Sequence, residues 1–138
     1  MTTDTERGLW RECLAAGYGW AAGMLATDGI SVSYRLVYDE GGYWRAWADY
    51  PDPHTDSLCR APLDESGCVP VFTDPATLGC LLGMVREAWG DSGAHALPYG
   101  GMWWSCYAHA GGVSRTHWGR HKTEGEALLR ALLAAPTS

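Results

Sequence analysis

Three stretches of the chain carry apolar residues at helical spacing. In TDTERGLWRECLAA, Leu9, Trp10, Cys13 and Leu14 form one stripe, and Asp4 or Thr5 stands ready to cap it. Gly17, Gly19 and Gly23 weaken any continuation, so a helix is expected over 5–16. In DPATLGCLLGMVREAW, Leu78, Leu81, Leu82, Val85 and Trp89 line one face. Asp74 is a good N-cap, Pro75 suits the first helical position and Gly90 is a natural stop, which predicts a helix over 75–89. Thr123-Glu124-Gly125-Glu126 matches the capping box and opens a third helix over 123–135, along Ala127, Leu128, Ala131, Leu132 and Ala135.

Two other stretches alternate with period two. GISVSYRLVYDEGGYWRAWADYPDP holds two β-branched and aromatic runs around Asp39-Glu40-Gly41-Gly42, closed by Pro51 and Pro53, and predicts a hairpin over 30–50. Met102 to His109 and Val113 to Trp118 flank Gly111-Gly112 and predict a second hairpin over 102–118. Residues 51–73, with Pro51, Pro53, Pro62 and Pro70, read as a long loop. The order is helix, hairpin, loop, helix, hairpin, helix, and 138 residues suit a single domain over 1–138. The expected fold class is α+β: an antiparallel four-stranded sheet with two or three helices packed on it, like an α-β-α sandwich.

Alternation assigns each strand residue to a face. Met102, Trp104, Cys106 and Ala108 read as core, and Trp103, Ser105, Tyr107 and His109 share the opposite face. Tyr43, Arg45, Trp47 and Asp49 do the same in the first hairpin, and Arg115 and His117 in the last strand. One sheet face would then present Trp47, Trp103 and Tyr107 to stack a flat ring, Arg45 and Arg115 to hold phosphate, and His109 and His117 beside them. If helices cover both faces, the same aromatics are core. A face of this kind also suits a second copy of the chain.

Composition sharpens this only in part. Eight Trp and seven Tyr against one Phe favour aromatics with a polar handle, at home on half-wet surfaces, although GC-rich codon usage also raises Trp, Gly, Ala and Arg. The net charge of -6 repels nucleic-acid backbones and anionic membranes. No apolar run approaches the roughly 18 residues of a spanning helix, and the start lacks a secretory signal. The expectation is a cytoplasmic protein with reduced thiols. The basic run RTHWGRHK reads as a solvated turn balancing Glu124 and Glu126.

Catalytic and metal motifs are missing. GxGxxG, P-loop, GxSxG and HExxH patterns do not occur, and Cys59, Cys68, His117 and His121 lack the tight cysteine spacing of zinc ribbons and fingers. Cys106, on the core face, would be inert as a nucleophile beside His109. Neither cofactor nor metal nor catalytic residue is expected.

DPATLGCLLGMVREAW, a Trp-containing hairpin and GRHKTEGEALLRALLAA occur in that order, and this order resembles the phage ABA sandwich domain over about residues 70–135. The resemblance implies a phage-borne α-β-α sandwich of no settled activity, with no functional residues to carry over. It also implies an accessory protein acting against host defences inside the host cell. Two readings follow. One is a non-enzymatic protein that sequesters a small nucleotide immune signal. The other is a protein-binding inhibitor of a host defence complex such as a CRISPR effector, for which an acidic, aromatic surface is suited.

Overall fold

The computed structural model describes residues 2–21, 23–27, 33–39, 42–51, 58–62, 68–99, 103–107, 109–110, 113–116 and 121–136, with side chains over 2–21, 23–27, 68–98, 104–107 and 121–136. The elements are α1 (Asp4–Ala15), β1 (Leu25–Thr27), β2 (Ser33–Asp39), β3 (Gly42–Pro51), β4 (Leu58–Pro62), β5 (Val69–Pro70), α2 (Pro75–Trp89), β6 (His95–Tyr99), β7 (Trp103–Tyr107), β8 (His109–Ala110), β9 (Val113–Thr116) and α3 (Glu124–Ala134). The fold class is α+β, as the alternating periods imply. The chain forms two compact units, Met1–Thr2 with Trp20–Thr77 and Thr3–Gly19 with Leu78–Ser138.

The expected single four-stranded sheet is replaced by a five-stranded antiparallel sheet, order β4-β3-β2-β1-β5, and two separate ladders, β6-β7 and β8-β9. The first hairpin is β2–β3, with Asp39 opposite Gly42 at its turn. The stretch 51–73, expected as loop, contributes β4 and β5, and Pro62 and Pro70 each end a strand that lies at a sheet edge, where proline is tolerated. In the second hairpin region β7 takes its partner from upstream, β6, and β8 and β9 pair across 111–112.

In the first unit Thr77 ties the sheet to the start of α2. Its N–H and its hydroxyl both donate to Asp74 Oδ2, at 3.0 Å each, and its hydroxyl oxygen accepts from the Leu25 N–H at 2.8 Å. Asp74 thereby caps α2 as its sequence position predicts. The Leu25 carbonyl accepts from the Val71 N–H at 2.8 Å, so both backbone groups of this strand end are satisfied.

In the second unit α1 and α3 lie side by side and run parallel, as a ladder of bonds from α1 and its following turn to α3 shows. The N-cap of α1 is Thr3, one residue before the expected Asp4: its hydroxyl accepts from the Glu6 N–H, and Glu6 Oε1 accepts from the Thr3 N–H at 2.8 Å, a full capping box. Glu6 Oε2 accepts from the hydroxyl of Thr123, which is the N-cap of α3 and takes the Glu126 N–H. Further along, the Cys13 thiol approaches the Leu129 carbonyl at 3.9 Å, and the Tyr18 hydroxyl donates to the Leu132 carbonyl at 3.3 Å.

Tyr18 reaches that carbonyl because α1 ends in a Schellman turn. Gly17, at φ 98, takes the left-handed position, with Gly17 N–H to Leu14 O and Tyr18 N–H to Cys13 O. From α2, the Trp89 indole N–H donates to the Ala131 carbonyl at 2.8 Å. Ala131 and Leu132 belong to the last turn of α3, where carbonyls run short of intrahelical donors: Leu132 keeps a long bond from the Ala135 N–H at 3.3 Å, and Tyr18 and Trp89 add side-chain donors there. Leu9, Trp10, Cys13, Leu81, Val85, Trp89, Leu128, Leu129 and Leu132 are buried, which matches the three sequence stripes. Leu78, Leu82 and Leu14 from those stripes are half-buried.

Glu6 is 1% exposed, so its removal orphans the Thr3 amide and the Thr123 hydroxyl together. Glu6→Ala is expected to lower unfolding free energy by about 2–4 kcal/mol, and Thr123→Ala by about 1–2 kcal/mol, in urea denaturation. The double variant is expected to cost less than the sum, since the two share one bond. Trp89→Phe keeps the ring and loses the N–H, and is expected to cost about 1–2 kcal/mol in the same assay.

Candidate functional site

The surface that collects chemistry is one face of the β6–β7 ladder, and the chain between α2 and β6 builds it. Gly90, at φ 64, ends α2 in a second Schellman turn, with Gly90 N–H to Glu87 O and Asp91 N–H to Arg86 O. Asp91 Oδ1 accepts from the Gly93 N–H at 2.9 Å, and the Ala94 N–H donates to Asp91 O. Arg86, in the last turn of α2, donates from Nε to the Ala94 carbonyl at 2.8 Å. Two consecutive tight turns therefore deliver His95 to the start of β6 with a guanidinium beside the preceding residue.

His95 lies opposite Tyr107, Leu97 opposite Ser105 and Tyr99 opposite Trp103. The His95 and Tyr107 rings stack, with centroids 5.5 Å apart and planes at 29°. His95 Nδ1 lies 2.9 Å from the Gly93 carbonyl oxygen. His95 is exposed, Tyr107 is half-buried, and Leu97 is 49% exposed, the large apolar side chain most open to solvent among the described residues. Ser105 and Cys106 are buried, and α3 packs against both strands.

The ladder also fixes which backbone groups remain outward. Trp104 exchanges both of its backbone bonds with His121, at 2.7 and 2.9 Å, on the side of β7 away from β6. Antiparallel residues alternate in direction, so Trp103, Ser105 and Tyr107 bond toward β6, and their partners Tyr99, Leu97 and His95 bond toward β7. Ala96 and Pro98 are left facing the outer edge, where Pro98 has no N–H to offer. That edge is thus a poor template for another strand.

Tyr107 and Trp103 stand together on β7, as the alternation implies. Trp47 and Arg45 are on β3 of the five-stranded sheet, His109 on β8 and Arg115 on β9, so the expected shared face is divided among three sheets. His117 lies outside the described residues, as do the side chains of Trp47, Arg45, Trp103, His109 and Arg115. Sequence reasoning missed His95, Leu97 and Arg86. A signal was present, since HALPY alternates His95, Leu97 and Tyr99 on one parity, but Pro98 argues locally against a strand.

His121, from the basic run, approaches Glu126 Oε1 at 3.9 Å, an ion pair only when the imidazole is protonated, and Arg130 Nε reaches the same oxygen at 3.2 Å; residues 117–120 of the run lie outside the described residues. Burial raises the Glu124 carboxyl above its usual range. Among the described residues no group of three or more His, Cys, Asp and Glu side chains is placed to hold a metal ion, and no helix is long and apolar enough to cross a membrane. Cys13, Cys68, Cys80 and Cys106 are free thiols. The chain matches no protein-family model, no curated protein and no solved structure.

Burial pushes the Cys13 thiol up to about 12, helped by the charge of Glu12, and the Cys106 thiol up to about 11, from an ordinary 9.0. Both thiols are therefore expected to resist alkylation of the native protein near neutral pH and to react after denaturation, as counted by mass spectrometry. The unfolded chain ionises them near 9 and the fold resists until 11 to 12. Their contribution to stability is thus intact below about 9 and lost as pH rises through the folded values, which an alkaline melting series checks.

Proposed function

We propose that the chain is a non-enzymatic binding protein whose β6–β7 face takes a small nucleotide, and that it sequesters a nucleotide immune signal in the manner its phage-type sequence pattern implies. The observation that carries this reading is the stacked His95–Tyr107 pair with Arg86 anchored at Ala94. A base has a flat face for Tyr107 to meet beside the offset His95 ring, at about 1–3 kcal/mol per stacked base. The Arg86 bond to Ala94 uses Nε, and the two terminal guanidinium nitrogens carry the donors that grip phosphate in a fork. Arg86 here takes the part that the sequence pattern assigned to Arg45 and Arg115. No acid–base pair or nucleophile enters the reading, and the buried, proton-holding Cys106 fits binding better than covalent chemistry.

A second reading has its own support. Of the sixteen acids and ten basic residues, nine acids and three arginines belong to the first unit, while the second holds seven of each. The whole excess of negative charge thus sits in one unit, and such a body suits a basic, nucleic-acid-binding surface of a host protein.

Melting curves against cyclic di- and trinucleotides and ADP-ribose derivatives separate the two. A ligand at a hundred times its Kd adds about 2.7 kcal/mol to the folded state, which moves the melting point by several degrees. One compound is expected to do this for the native sequence, and Tyr107→Ala and Arg86→Gln are each expected to weaken its binding about tenfold or more. A flat panel overturns the nucleotide reading. A defined basic protein bound at low salt and released at high salt would then support the second.

A further inference from the structure

We infer that His95 is held as the Nδ1–H tautomer, which makes Nε2 the atom that selects ligands on the β6–β7 face. The nucleotide reading above supplies the ligand class; the tautomer itself does not depend on it. The partner of Nδ1 is the carbonyl oxygen of Gly93, 2.9 Å away. A carbonyl only accepts, so the contact is a hydrogen bond only when Nδ1 carries the proton. Neutral His95 must then keep its lone pair on Nε2, at the far side of the ring. The ring is exposed and stacked on Tyr107, so Nε2 belongs to the same surface as the stack.

The consequence is a specificity rule. With neutral His95, Nε2 accepts, and the face favours a base edge that offers an N–H. Among the described residues, the charged groups tied to the turn that presents this ring are Arg86, bonded from α2 to the Ala94 carbonyl, and Asp91, bonded to the Gly93 amide, and β7 contributes the Tyr107 ring. The Asp91 carboxylate is engaged with the Gly93 N–H, which also holds the peptide that presents the acceptor carbonyl. Pro98 and Leu97 bring no competing polar side chain to the row.

Two measurements test this on the intact chain. Nitrogen-15 NMR of the imidazole at pH about 8, assigned by loss of the signal in His95→Phe, is expected to show a protonated Nδ1 and a bare Nε2. A protonated Nε2 in the neutral ring overturns the inference whatever the protein binds. The second measurement compares adenosine 5′-monophosphate with its N6,N6-dimethyl analogue, which keeps the stacking face and phosphate but has no exocyclic N–H. The native chain is expected to prefer the parent nucleotide about tenfold, the worth of one hydrogen bond, and His95→Phe, which keeps a flat ring, is expected to bind both alike. Equal binding of the two by the native chain overturns the selectivity. If neither nucleotide binds, the selectivity rule falls, the panel of cyclic nucleotides and ADP-ribose derivatives separately decides the nucleotide reading, and the NMR result decides the tautomer.

Discussion

One carboxylate carries more of the second unit than any other polar group. Glu6 is buried where the N-termini of α1 and α3 meet, and it bonds the backbone of one N-cap and the side chain of the other. The amide ends of both helices carry partial positive charge, so a buried anion is favoured there on electrostatic grounds as well as by its hydrogen bonds. Parallel helices set their like dipole ends together, which is unfavourable unless something of opposite sign stands between them. Glu6 is that group. With both helices started at one point, their registers are fixed relative to each other, and Cys13 and Tyr18 meet Leu129 and Leu132 in turn. The Tyr18 and Trp89 bonds then close the other end of α3, where the orphan carbonyls carry partial negative charge.

The candidate site follows from this frame by short steps. α3, fixed at both ends, is the layer on which β6 and β7 pack, and Cys106 and Ser105, of opposite parity on β7, are both buried. Trp89 ends α2 against α3, and one residue later Gly90 reverses the chain. From there Asp91, Gly93 and Arg86 leave little freedom in how His95 arrives beside Tyr107. The His95–Tyr107 stack is thus placed by helix-end chemistry, not by the sheet alone. A surface histidine would otherwise lose rotamer entropy on binding; here the Gly93 bond and the Tyr107 stack have already fixed the ring.

Local chemistry made much of this legible in the sequence. The Asp74-Pro75 start, the Gly90 stop and the Thr123 cap are short-range signals, and their helices stand within a residue or so of the expected bounds. The turn at Asp39 to Gly42 was legible for the same reason. Pairing between distant strands was not. β1 and β5 are three and two residues long, too short to show a period, and β5 is held to β1 across more than forty residues. β6 was hidden by Pro98, whose missing N–H matters little because that position faces away from β7, and that can be known only from which strand β6 joins. The expected composite site failed at this level. Alternation placed Trp103 and Tyr107 on one parity of β7, but no pattern within Arg45 or Trp47 says which sheet β3 will join.

The division of charge bears on whether an acidic chain can hold an anion at all. A net charge of -6 would oppose a phosphate if it were spread evenly, yet the unit that carries Arg86, His95 and Tyr107 is balanced, seven acids to seven basic residues. At physiological salt, charges separated by more than about 8 Å are largely screened, so the field at a bound phosphate is set by its neighbours. Among the described residues of that unit, the charged groups fixed at the turn into β6 are Arg86, bonded to the Ala94 carbonyl, and Asp91, engaged with the Gly93 amide. A phosphate at the β6–β7 face, as proposed above, would therefore answer to the local guanidinium of Arg86 and not to the net charge of the chain.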